Sequence, residues 1–273
     1  MSKIIVMTDL HVTAPDQRII GLDTFARFCA ARDAALRDHA DAALMILMGD
    51  LSHHGAPVAY ERLARALRDV PMPVVPMMGN HDRRDVFLDS FPDAPQTATG
   101  HIQHYQPCDG HHIITLDTLD GPPYPAGHHS GILCADRLDW LQAQLARTQG
   151  EKTLIFAHHP PFDTGWAGMD AIKLRNGEAL LDVLVAHGNC HLFCGHIHRT
   201  ISGSTRGVPW TMFKATGHQA PLDLNGDDSS LSVDEPPAYG LLVLMPDGVV
   251  AHSEDVGLIR DVQGDPASRT PKK

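Results

Sequence analysis

The sequence predicts a single-domain α/β protein in which two sets of strands pack between helices. Three observations carry this expectation. Short apolar runs of strand length alternate with longer segments whose apolar residues recur at helical spacing. The first three runs are apolar throughout rather than alternating, as expected of parallel strands buried on both faces. After Cys194 the texture changes to strand-like segments separated by Gly203, Gly207 and Pro246-Asp247-Gly248. A chain of 273 residues, 43% hydrophobic, can bury a substantial core.

Each element follows in order. Residues 4–6 predict the first strand, and Leu22, Phe25, Cys29 and Leu36 share one face of the first helix. Residues 43–48 predict a strand, Leu63, Ala66, Leu67 and Val70 a helix, and residues 74–77 a third strand. Further strands are expected at 112–116, 153–157 and 191–194. Helices are expected at 135–147, with Leu138, Leu141 and Leu145 on one side, and at 171–186. Four more strands are expected at 200–205, 209–214, 240–245 and 249–252. Residues 222–237 are acidic and rich in Pro and Ser, and read as a lid-like loop. The domain is thus expected over 1–256, with 257–273 as a frayed C-terminal tail.

Composition narrows the function. Lys+Arg 22 against Asp+Glu 33 gives a net charge of −11, which repels the backbone of long nucleic acid. No apolar run approaches the roughly 18–20 residues of a membrane helix, so no membrane partner is expected. Asp9 interrupts the first apolar run too early for a signal peptide. The five cysteines are an odd number without a small disulfide framework, which points to a reducing cytoplasm. The 19 histidines point to metal or proton chemistry.

The chemistry sits where strands end. These ends read Thr8-Asp9-Leu10-His11, Gly49-Asp50, Gly79-Asn80-His81-Asp82, His158-His159-Pro160-Pro161 and Gly195-His196-Ile197-His198. In open α/β sheets ligands bind at the carboxyl ends of strands, so five such ends can line one pocket. Oxygen and imidazole donors without thiolate suit Mn, Fe or Zn in a two-metal hydrolytic site better than a structural zinc. In Asp9-x-His11 and His196-x-His198 the two side chains would share one side of an extended segment. Taken singly, each segment has an ordinary explanation: an Asp N-cap at Gly49-Asp50, a tight turn at Gly79-Asp82. Five ordered strand ends are much harder to obtain by accident.

This ordered set resembles the calcineurin-like metallophosphoesterase superfamily, whose hallmark is D-x-H, G-D-x-x-x-x-G, G-N-H-D, a His-containing strand end and G-H-x-H. Gly55 completes the second motif. Chain length, His-His-Pro-Pro and Asn176-Gly177 make the chain most similar to bacterial class III cyclic-nucleotide and glycerophosphodiester phosphodiesterases. The resemblance implies a four-layer α/β/β/α sandwich of two mixed sheets flanked by helices. It implies two divalent or trivalent cations (Mn²⁺, Fe²⁺/Fe³⁺, Co²⁺ or Zn²⁺). The first would take Asp9, His11 and His198, the second Asn80, His158 and His196, and Asp50 would bridge them. A carboxylate suits that place because it has two oxygen donors. His158 is chosen over His159 because it aligns with the family's metal-binding His two residues before proline. His81 would contact the phosphate oxygens or protonate the leaving alkoxide, with Asp82 orienting its ring. His218 would either contact substrate or serve the loop's structure.

The implied activity is hydrolysis of a small phosphodiester by attack of a metal-bound hydroxide. The alternatives are a phosphomonoesterase or phosphonate monoester hydrolase on the same core, or a non-catalytic metal-binding scaffold. A homo-oligomer, dimer or higher, is expected. Cys190-x-x-x-Cys194 reads as strand packing rather than a zinc ribbon, because no second Cys pair exists. The pairs at 53–54, 111–112 and 128–129 read mostly as surface or loop histidines, with His53 or His54 a candidate for the pocket mouth.

Overall fold

The computed structural model describes residues 1–124, 127–148 and 150–258. Its elements run β1 (Lys3–Met7), α1 (Thr24–His39), β2 (Leu44–Leu47), α2 (Pro57–Leu67), β3 (Val74–Pro76), α3 (Arg84–Ser90), β4 (His104–Cys108), β5 (His111–Leu116) and α4 (Ala135–Arg147). They continue β6 (Thr153–Ala157), α5 (Ala167–Asp170), α6 (Gly177–His187), β7 (Cys190–Cys194), β8 (Ile201–Thr205), β9 (Val208–Met212), β10 (Ala238–Met245) and β11 (Gly248–Asp255).

Two mixed sheets result, in strand orders β11-β10-β1-β2-β3 and β4-β5-β6-β7-β9-β8. Strand alternation explains why they stack face to face. In β1 and β2, Ile4, Val6, Leu44 and Ile46 face the second sheet, where they meet Ile113, Leu154, Phe156, Phe193 and Phe213. Their neighbours Ile5, Met7, Met45 and Leu47 point the other way, onto Phe28, Tyr60 and Leu63 of α1 and α2. Ile155, Ala157, Leu192 and Cys194 of the second sheet likewise turn outward onto Leu141, Leu145, Leu180 and Leu184 of α4 and α6. Continuous apolar strands are therefore the mark of a four-layer α/β/β/α sandwich. Each fully buried aliphatic or aromatic side chain contributes about 1.5–3 kcal/mol.

Parallel pairing of β1, β2 and β3, and of β5, β6 and β7, brings their carboxyl ends to one edge. That edge carries the chemistry.

Three expectations need correction. The helix expected at 171–186 starts only at Gly177, as α6; residues 171–176 are turns, and the one-turn α5 precedes the expected range. Asn176 accepts from the Leu133 amide at 3.0 Å and donates to its carbonyl at 2.6 Å, which pins the start of α6. A Cβ on Gly177 would lie 2.1 Å from the Pro161 carbonyl oxygen, so only glycine lets α6 dock there. α3 and β4 were not expected. β4 carries Gln106 and Pro107 and holds only the edge of its sheet. Its hairpin to β5 turns at Asp109-Gly110, both at positive φ. Third, the strand expected at 249–252 runs from Gly248 to Asp255.

Residues 222–237 form no helix or strand; their one ladder contact is the Gln219–Val233 bridge. Of the expected tail, residues 259–273 lie outside the described residues.

Candidate metal centre

Five of the seven expected ligands adopt the left-handed region: Asp9 (φ 52°), His11 (44°), Asp50 (48°), His196 (71°) and His198 (55°). The extended geometry expected for Asp9-x-His11 and His196-x-His198 is thus wrong. The chain coils after each strand, because Asp9 and His11 N–H donate to the Gly49 and Asp50 carbonyls at 3.1 and 2.8 Å. A cluster of non-glycine residues in this conformation costs about 1 kcal/mol or more per residue and gathers where function demands it. Glycine makes the close approach possible: a Cβ on Gly79 would sit 2.2 Å from Asp50 Oδ1, and one on Gly49 2.5 Å from His158 Nδ1.

The side chains converge. Asp50 Oδ2 lies 3.4 Å from His11 Nε2 and 3.4 Å from His158 Nε2, midway between two groups of donors. On one side, His198 Nε2 is 3.2 Å from Asp9 Oδ1 and 3.1 Å from His11 Nε2. The donor atoms of Asp9, His11, Asp50 and His198 all lie within 4.8 Å of one another. On the other side, His158 Nε2 is 3.3 Å from Asn80 Oδ1. His158 and His196 also share a cluster within 4.8 Å.

These donors fit a pair of cations. The His158 and His198 Nδ1–H groups donate to the Met48 and His218 carbonyls at 2.9 and 2.8 Å. That fixes Nδ1 as the donor, so each ring turns Nε2 toward the Asp50 and Asp9 carboxylates, free to offer its lone pair to a cation. Ring nitrogens facing carboxylates in a buried site call for positive charge between them, a proton or a metal ion. His196 Nε2 is buried with no partner at all. The proton affinities agree. Burial opposes charge on His158, but Asp50 and Asp9 outweigh it and raise its pKa to about 9. His198 is raised likewise, against burial, by Asp9. Burial would raise Asp50, but His158, His81 and His11 hold it well below the usual carboxylate range. Burial pushes His11 and His196 far down.

His159 has neither nitrogen to spare. Its Nδ1 meets the Thr118 hydroxyl at 2.7 Å and its Nε2 the His129 carbonyl at 3.1 Å.

The role expected for Asp82 is contradicted. Its carboxylate accepts from the Leu51, Ser52 and Gly79 amides and from the Tyr60 hydroxyl, at 2.9–3.1 Å. It clamps the loops after β2 and β3 together and leaves the His81 ring alone. Burial and the Asp50 charge raise its pKa to about 6. The His81 ring is oriented instead by the His53 carbonyl, 2.8 Å from Nδ1, while the His81 backbone N–H donates to Asp50 Oδ1 at 2.9 Å.

A cavity of about 330 Å³ lies over the centre, lined by His81 and His218 and also by His53 and His129. Both His218 ring nitrogens are buried without a partner, and burial and His198 lower its pKa to about 2. His54 is exposed, and His111 is buried in β5. His129 was missed: its Nδ1 meets Asn80 Nδ2 at 2.9 Å, turning the amide oxygen toward His158. The doubled histidine was the available signal, but nothing local in 128–129 marks its partner 49 residues away.

A model of the calcineurin-like phosphoesterase family matches residues 2–200. The chain belongs to this family. Calcineurin-like phosphoesterases bind a dinuclear metal site, and the cluster described above lies within the matched region. Over 252 residues, 92% of this chain and 91% of the other, it is 40% identical to a Rhodopseudomonas palustris protein named a probable cyclic nucleotide phosphodiesterase. Over 188 residues, 68% of this chain and 66% of the other, it is 31% identical to a glycerophosphodiester phosphodiesterase of Enterobacter lignolyticus. Among solved structures, a dimetal phosphatase from Danio rerio has a TM-score of 0.70 at 16% identity, covering 93% of this chain and 96% of that one. The last is a likeness of fold.

Proposed function

We propose that this calcineurin-like phosphoesterase is a dinuclear-metal phosphodiesterase for small diesters. Asp9, His11, Asp50 and His198 hold one cation, and Asp50, Asn80, His158 and His196 hold the other. The observation that carries this is the position of Asp50 Oδ2, equidistant at 3.4 Å from one histidine of each group. Four imidazoles among seven donors favour Mn²⁺, Co²⁺, Fe²⁺/Fe³⁺ or Zn²⁺ over Mg²⁺. Bound there, the cations supply Lewis-acid polarisation of the phosphoryl oxygens and activation of water.

The chain's own residues do the rest. His81, held through Nδ1 by the His53 carbonyl, presents its other ring nitrogen to the cavity and donates a proton to the leaving alkoxide. His218, unpartnered, is left to contact the ester oxygens. Diesters are favoured over monoesters because, among the described residues, no lysine or arginine lines the cavity to meet a second phosphate charge. The five cysteines are free thiols, which supports a reducing, cytoplasmic setting. Among the described residues no helix is long and apolar enough to cross a membrane.

The test is a hydrolysis panel with purified protein and Mn²⁺. It compares cyclic AMP, glycerophosphocholine, bis(p-nitrophenyl) phosphate and p-nitrophenyl phosphate. Turnover of diesters above the monoester is expected; preference for the monoester would overturn the reading.

A further inference from the structure

The cavity has two unlike halves. Imidazoles, Asn80 and Asp50 make up one, and Ile20, Met169, Ile172 and Leu231 the other, of which Ile20 and Leu231 stand exposed at its mouth beside Ser229, Ser230 and Ser232. Among the described residues, Asp50 is the one carboxylate of the lining, and no Phe, Tyr or Trp joins it.

Ile20 is the odd residue. It sits at φ 45° beside Gly21 in a two-residue hairpin turn, closed by Ile19–Leu22 hydrogen bonds of 3.1 and 2.8 Å. Such turns favour Asn-Gly, and a β-branched residue in the left-handed region is an outlier. The side chain is 53% exposed, so core packing does not explain it. What explains an isoleucine there is the cavity it borders.

Leu231, 40% exposed, is held over the same cavity. Its loop is fixed on both sides. Val233 pairs with Gln219 at 2.8 and 3.2 Å. The Asp227 backbone packs so closely on Gly168 that a Cβ there would lie 2.7 Å from the carbonyl oxygen. The hydroxyls of the flanking Ser230 and Ser232 turn back onto Asp228 and the Ser230 carbonyl.

We propose that Ile20 and Leu231 are specificity-determining residues that grip an uncharged ester group with a broad apolar face, as a nucleoside or aryl ester has. A cationic amino-alcohol ester finds neither an aromatic cage nor a free carboxylate in this mouth. A glyceryl ester finds little apolar surface of its own to bury. The inference rests on the phosphodiesterase reading above.

Three diesters sharing one leaving group test it: p-nitrophenyl phosphates whose second ester is phenyl, glyceryl or choline. Wild-type kcat/KM should fall in that order. Ile20→Asn and Leu231→Ser should each lower it about 10-fold for the phenyl diester, through KM, and far less for the glyceryl one. Calorimetry should show matching loss of affinity for phenyl phosphate but not for glycerophosphate. Ile20→Asn should also raise Tm, because the turn strain is relieved. Equal losses on all three diesters, or a wild type that prefers choline or glyceryl, overturn the proposal. Diester turnover without discrimination sinks this inference alone; no turnover of any diester by the metal-loaded enzyme sinks the phosphodiesterase reading with it.

Discussion

Asp117→Asn should destabilise the protein strongly at neutral pH, and less once the pH falls below about 4. Asp117 sits at the end of β5, fully buried. Its carboxylate accepts from Arg84 at 2.5 and 2.7 Å and from the Ile102 and Leu119 amides at 2.9 and 3.1 Å. Arg137, also buried, lies 3.8 Å away and caps the Asp117 and Leu119 carbonyls. An amide at this position turns one donor toward the guanidinium and leaves two buried positive charges uncompensated. Removing one partner of a buried pair costs about 3–5 kcal/mol. For a domain of this size each kcal/mol is worth about 2–4 °C in Tm, so a fall of about 6–20 °C is expected. Burial alone would raise the Asp117 pKa, but Arg84 overrides it and holds the carboxyl below its usual value. A depressed folded-state pKa gives stability that is complete above the unfolded value, about 4, and lost as pH falls through the folded one. The Tm gap between wild type and variant, measured by calorimetry from pH 7 to pH 3, should therefore hold down to about pH 4 and narrow below it. A constant gap, or a loss under about 1 kcal/mol at pH 7, would refute the buried-charge argument.

Four further outcomes follow from the site. Chelation should abolish diester hydrolysis, and Mn²⁺, Co²⁺ or Fe²⁺ should restore it better than Mg²⁺; full activity with Mg²⁺ alone would contradict a ligand set rich in imidazole. His81→Ala should keep both metals by mass spectrometry. It should lose about 10²–10⁴-fold in kcat on an alkyl diester and far less on a p-nitrophenyl one, and an equal loss would demote it from proton donor to positioner. Asp82→Asn should lower Tm by weakening the clamp on Leu51, Ser52 and Gly79, yet leave the leaving-group dependence of kcat unchanged; a His81-like kinetic signature would restore the orienting role. His158→Ala should lose metal, whereas His159→Asn should keep it and lose stability, and the reverse pattern would exchange their roles.

The layered fold was legible because the strands are buried on both faces, which forces unbroken apolar runs such as Ile4–Val6 and Leu44–Leu47. β4 was not legible because an edge strand with Gln106 and Pro107 leaves no apolar signature. α3 is only seven residues long, and just Arg84 and Phe87 of it are buried. The donors clustered as expected because each follows a strand whose end faces the same edge. Their local geometry was not legible: left-handed backbone at Asp9 and His11 depends on hydrogen bonds to Gly49 and Asp50, about 40 residues away. The same reason explains Asp82. Its neighbour in sequence is His81, but its partners Leu51 and Ser52 are brought by the fold from 31 and 30 residues away.

The shared carboxylate is the centre of the account, and metal stoichiometry tests it most directly. Wild-type protein loaded with Mn²⁺ and dialysed should carry two equivalents per chain by inductively coupled plasma mass spectrometry. Asn80→Ala should weaken one of them. Asp50→Ala, with its fold checked by circular dichroism, should lose affinity for both. Two tightly held equivalents in the Asp50→Ala protein would contradict the bridge.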